Sequence, residues 1–200
     1  MTVLENKFRD QDWFADAASY LSSRFPSVEA RLHATFRYVG LHIENRNTFS
    51  YEFASVLRDA GSIVGSVLDA LLRGVRGVPK GQYTFADYRD FLRSEVPDIH
   101  KRSIHVRPCF PKGTVVPFEE LRSPTGTPDW WNAYNQVKHS EYDEFRIGNL
   151  ENCVAAVSAL ALLGFLMGVL GADWLFVNVG IAYDDNSIDM SDERRLFPRT

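Results

Sequence analysis

Cysteine is scarce in this 200-residue chain: Cys109 and Cys153 are the only two, and they stand in unrelated contexts. They supply neither a disulfide framework nor a thiolate metal site, and a reducing cytoplasm is the simplest compartment for them. A basic excess is missing too. The formal net charge of -4 lacks the basic balance of a general duplex binder, although it leaves room for a short basic groove. The N-terminus, MTVLENKFRDQDWF, has no basic segment followed by an apolar run, so no secretory signal is read there. There is no Gly-rich phosphate loop, no nucleophile elbow, no internal repeat and no low-complexity tract. These absences exclude the commonest ready-made nucleotide and hydrolase sites.

Apolar and aromatic material, by contrast, is ample. With 45% hydrophobic, 13% aromatic and 24% charged residues, the chain can bury a core as one domain over 1–200. The stretch 153–172 carries no charge and reaches the minimum length of a bilayer span, with Gly164 and Gly168 as a small-xxx-small pair. It is, however, rich in Ala and Gly, contains Ser158, has no Lys/Arg cluster at either end and runs straight into Asp173. A buried core helix is therefore expected, and no membrane.

Helical spacing begins with Trp13, Ala17, Tyr20 and Leu21, in a short helix closed by Phe25-Pro26. Ser27 then caps a second helix carrying Val28, Leu32, Phe36, Val39 and Ile43. A continuous stripe from Phe53 through Val56, Leu57, Ala60, Val64 and Leu68 to Leu71 predicts a third. Thr48 or Ser50 would cap it, and Gly74, Gly77 and Pro79 would end it. Thr84, with Asp87 three residues on, opens a fourth in capping-box fashion, and Val96-Pro97 closes it. Region 99–127 reads as an insertion, with β-prone runs at 103–110 and 114–118 predicting a small hairpin before a polar loop. Thr127-Pro128 starts the helix of WWNAYNQVKH, and an apolar helix follows over 149–170 with Gly171 as its stop. Residues 174–183 suggest a strand or packing arm, and 184–200 a partly mobile acidic tail. The fold class expected is mainly α, a helical bundle with a small β-hairpin insertion before the motif helix.

On that motif helix Asn135 and His139 are four apart and share a face, which Trp131 extends by the same spacing. Tyr134 and Lys138 form the neighbouring edge. An imidazole, a carboxamide, a phenol and an ammonium on one side of a helix suit a phosphodiester. His139 can move protons near neutral pH, Asn135 can orient a phosphate or hydroxyl, and Lys138 can offset developing charge. The structural alternative is simple core spacing for Trp130, Tyr134 and Val137, with Asn135 bonded to a loop. Lys101, Arg102, His105 and Arg107 form a basic patch around the hairpin, suited to RNA phosphates or equally to a protected strand edge. His33 and Arg37 read as part of a solvated face, and His42 has no evident partner. Asp184, Asp185, Asp189 and Asp192 show no calcium-loop spacing. No metal and no cofactor are expected.

The segment WWNAYNQVKH before a long apolar helix, together with YEFASVLRDAGSIVGSVLDALL, resembles the HEPN superfamily (higher eukaryotes and prokaryotes nucleotide-binding), in particular prokaryotic YNxxKH-type members. The resemblance spans about 50–171. It implies a helical bundle that forms a homodimer and, in active members, a metal-independent endoribonuclease site where two motif helices meet. The family's motif His falls on His139 and its Asn on Asn135, while its Arg position is occupied here by Tyr134. Lys138 is a candidate stand-in for that Arg. The resemblance thus implies RNA as substrate or ligand, and Trp131, Tyr134 and, from the basic patch, Arg102 and Arg107 are the candidate binding residues on this chain. It extends to a defence or toxin setting with a cognate protein partner. The other reading that stays open is a non-catalytic interaction module of the same fold.

Overall fold

A computed structural model of the chain describes residues 3–77, 83–106, 113–139, 145–170 and the two-residue strand 182–183. The architecture is mainly helical. Its α-helices are α1 (Val3–Phe8), α2 (Asp12–Thr35), α3 (Tyr51–Arg76), α4 (Phe85–Glu95), α5 (Asp129–His139) and α6 (Leu150–Leu166). Strands β1 (Ile104–Val106), β2 (Gly113–Val115) and β3 (Ala182–Tyr183) form an antiparallel sheet in the order β2-β1-β3.

The centre of the bundle is α6. Fourteen of its seventeen residues are buried, so no polar face remains and every side must be covered by protein. α2, α3 and α5 cover it. Its length is correspondingly modest: among the described residues no helix is long and apolar enough to cross a membrane. The carbonyl side chain of Asn149 caps the start by accepting from the Asn152 N–H at 2.9 Å. The end comes earlier than the sequence suggests. Gly168, at φ +72°, turns the chain so that the N–H groups of Val169 and Leu170 reach the Gly164 carbonyl, at 3.0 and 3.2 Å. Gly171 lies outside the described residues.

α3 is the longest helix, and its stripe from Phe53 to Leu72 is almost wholly buried. Ser50 is the cap; its hydroxyl accepts from the Phe53 N–H at 3.0 Å. Gly77, at φ 66°, ends the helix in the left-handed region, while Gly74 lies within it. Arg76 of α3 pairs with Asp87 of α4 at 3.3 Å. That same carboxylate accepts from the Thr84 N–H at 2.9 Å, closing the capping box at the start of α4.

The expected break at Phe25-Pro26 does not occur. α2 runs unbroken with Pro26 inside it. Proline removes one intrahelical donor and crowds the preceding turn, which costs about 3 kcal/mol in an isolated helix. Here the buried residues Leu21, Phe25, Val28 and Leu32 straddle the proline and lock both halves onto the core. Burial of such side chains is worth about 1.5–3 kcal/mol each, and so it outweighs the local penalty. The helix stops at Thr35, short of the expected Phe36, Val39 and Ile43. Ile43 instead belongs to a short 3-10 turn in which the His42 ring accepts from the Glu44 N–H at 3.3 Å. An Arg31 fork joins α2 to α3 through Glu52, Asp59 and Ser55.

The hairpin is present, with Ile104 opposite Val115 and Val106 opposite Gly113. It is shorter than the β-prone runs, and its turn lies outside the described residues. β3 adds a second neighbour to β1, pairing Ile104 with Tyr183. The tail 184–200 lies outside the described residues.

Candidate functional site

α5 follows Pro128, whose carbonyl accepts from the Trp131 and Asn132 N–H groups. Trp130 anchors the helix to the hairpin side: its indole N–H donates to the Pro117 carbonyl at 2.7 Å in a buried position, and its ring meets Phe118 edge-on. Trp131 enters an aromatic cluster with Phe85, Tyr88 and Tyr134, at ring-centroid distances of 5.1, 5.9 and 5.1 Å. Trp130, Trp131, Ala133, Tyr134 and Val137 are all buried. One side of α5 is therefore scaffold.

Tyr134 belongs to that scaffold. It is 5% exposed, and its ring lies directly on Gly61 of α3, where a Cβ would overlap the ring carbons. Glycine is required by this close approach of ring and backbone. The other side of α5 differs: Asn135 is half-buried, and Lys138 and His139 are exposed. Among the described residues no side-chain hydrogen bond is made by Asn135 or His139. The Lys138 ammonium sits 5.5 Å from the centroid of the Tyr134 ring, a cation–π contact. A positive charge thus stands beside Tyr134, in the last turn of α5, where the helix dipole favours it.

These residues face an open groove of about 630 Å³ between α3, α4 and α5. Trp131, Tyr134, Asn135, Lys138 and His139 line it from α5, with Ser62, Ser66 and Asp69 opposite on α3. Tyr83, Thr84, Phe85 and Tyr88 close the α4 end. Burial, with Asp69 as a second cause, pushes the Tyr88 phenol up to about 12, so it stays protonated near neutral pH and remains a donor. Asp69 is paired with Arg73 at 2.9 Å, which offsets its charge. Serine and tyrosine hydroxyls, a carboxamide, an imidazole and an ammonium make a polar surface able to bind oxygen-rich ligands.

Five of the seven candidate site residues come together here. Arg102 does not line the groove; its guanidinium grips Asp98 in a two-pronged pair, at 3.1 and 3.0 Å. Arg107 lies outside the described residues, as do Cys109 and Asp184, Asp185, Asp189 and Asp192. Ser62, Ser66, Asp69 and Tyr88 were missed in the sequence. A signal for the first three existed, since they recur at helical spacing opposite the apolar stripe of α3. A second cavity, of about 320 Å³, is lined by Glu119, Glu120, Asp129 and Glu151, a lining that repels polyanions. Cys153 is fully buried, which pushes its thiol well above the ordinary range and leaves it inert. Among the described residues no cluster of three His, Cys, Asp or Glu side chains could hold a metal ion. Comparison of the chain with protein-family models, curated proteins and solved structures finds no match.

Proposed function

We propose that this chain is a HEPN-like, cytoplasmic RNA-binding or RNA-processing protein that acts as a homodimer, with Asn135, Lys138 and His139 handling the phosphodiester. The observation that carries the reading is that these three side chains share one open groove on the motif helix, while Trp130, Trp131, Ala133, Tyr134 and Val137 hold the helix in the core. In the cleavage step, one His139 takes the proton of a ribose 2′-hydroxyl, whose oxygen attacks the adjacent phosphorus. The bond from phosphorus to the 5′-oxygen breaks, and that oxygen receives a proton from the His139 of the second copy. A cyclic phosphate and a 5′-hydroxyl result, with no metal in the balance. Asn135 orients the phosphate. Lys138, held beside Tyr134, supplies the charge that the family motif places on Arg.

The test is incubation of purified protein with mixed RNA in EDTA. The wild type yields fragments with cyclic phosphate ends, and His139→Ala lowers the rate by at least about a hundredfold with folding intact. Cleavage unchanged by that substitution removes His139 from the reaction.

A second reading, a non-catalytic interaction module of the same fold, is favoured by one observation. The motif's Arg position holds a ring packed against Gly61. On this reading no RNA is cleaved, and His139→Ala weakens a complex with a cognate protein.

A further inference from the structure

Beyond the groove, the side of α3 that lines it continues past the level of His139. Trp131 packs over Gly65 and Tyr134 over Gly61, so α5 runs antiparallel to α3 and its C-terminus points toward Tyr51. At about 1.5 Å per residue, His139 lies about 7.5 Å past Tyr134 in that direction, and Tyr51 about 15 Å past Gly61. Azimuth matters as well as height. Tyr51 precedes Asp69 by five full turns and Ser62 by about three, so it stands on the same stripe of α3 that lines the groove. Arg58 lies on that stripe between Tyr51 and Ser62.

At the far end the stripe meets two exposed aromatic rings, Tyr51 and Phe49, gathered on the half-buried Phe145. Tyr51 stacks on Phe145 with centroids 4.5 Å apart and planes at 16°, and Phe49 meets Phe145 edge-on at 5.5 Å. Tyr51 is 59% exposed and Phe49 43%, so the outer ring faces meet solvent. The Arg146 guanidinium lies 5.4 Å from the Phe49 ring centroid. The backbone beneath is fixed. Phe49 bridges Asn149, and the Leu150 and Glu151 N–H groups donate to the Thr48 and Arg46 carbonyls at 2.8 and 3.1 Å. A rigid, solvent-facing aromatic surface flanked by arginine, in line with a polar groove that ends in an ammonium, has the elements of a single-strand site: flat faces for bases and cations for phosphates.

The geometry points to Tyr51, Phe145 and Phe49 as a base-stacking platform that holds the single-stranded RNA segment next to the nucleotide bound at Asn135 and His139. This rests on the RNA reading above and gives it a register. The strand runs along α3 from the groove to Tyr51, with its phosphates near Lys138 and Arg146. Stacking is tolerant of sequence, so the platform selects unpaired RNA without selecting a base. Paired RNA keeps its bases stacked within the duplex and gains nothing from it.

Binding of a fluorescent oligouridylate, of an abasic oligomer of equal length and of an RNA duplex tests the assignment on the full chain at fixed salt. The wild type prefers the oligouridylate to both others by roughly tenfold. Tyr51→Leu removes that preference, whereas Tyr51→Trp, which restores a flat face, retains it. Equal affinity for the abasic and base-bearing oligomers overturns the platform and leaves the RNA reading standing. No binding to any of the three overturns both. Sedimentation of the same variants separates the remaining outcome: a Tyr51→Leu protein that loses self-association but keeps its base preference makes this surface a contact between copies, and the platform is then wrong.

Discussion

A methyl group added at Gly61 would occupy the space filled by the Tyr134 ring, which packs against Trp131 on one side, so the ring must shift to admit it. Gly61→Ala is expected to lower unfolding stability by about 1–3 kcal/mol, read by urea denaturation. A double variant with Tyr134→Ala that costs less than the sum of the two single changes would show that the two positions share one contact. An undiminished midpoint for Gly61→Ala would mean that α5 does not seat on α3 as described. At this scale the sequence was partly legible. The four-residue spacing placed Asn135 and His139 on one face, and they do share the groove. Spacing left Tyr134 open between the groove edge and the core, because its burial depends on Gly61, seventy-three residues earlier. Arg102 differs, because its partner lies only four residues away. Its charge was visible, but its engagement by Asp98 depends on the local turn that brings the carboxylate back.

The elements show a similar division between what a stretch of chain prefers and what the core enforces. Helices α3, α4 and α5, with their caps at Ser50 and Thr84, follow from apolar period and capping chemistry. α2 does not. A proline rule written for isolated helices split it in two, whereas the buried side chains on both sides of Pro26 hold it as one. The penalty is still present in the folded state. Pro26→Ala is therefore expected to stabilise the protein, by about 1–3 kcal/mol, through the restored hydrogen bond to the Ser22 carbonyl. Thermal and chemical denaturation would check it. A destabilised variant would mean that the proline ring itself makes packing contacts worth more than the bond. The end of α6 was placed four residues late because apolar composition continues through Leu170, while the stop is set by the left-handed turn at Gly168.

For the whole molecule, the helices packed on α6 place one polar groove and one aromatic surface along the same side of α3. On the proposed two-copy reaction, turnover per chain rises with protein concentration and levels off once dimers dominate. Dilution series of the RNA assay with parallel sedimentation would follow both. A turnover per chain independent of concentration, in a protein that sediments as a monomer, would require one copy to do both proton transfers. The groove was not readable from the chain alone, since its walls come from residues 62–69, 83–88 and 131–139 and meet only through packing. The two-sided character of α5 has a consequence for descent. Its scaffold half is tied to the fold, but exposed positions such as Lys138 and His139 accept replacement at a cost of about 0.5 kcal/mol or less. Lineages carrying this bundle are therefore free to lose a reaction, or regain one, by exchanging a few side chains in the last turn of one helix, with no intermediate that fails to fold.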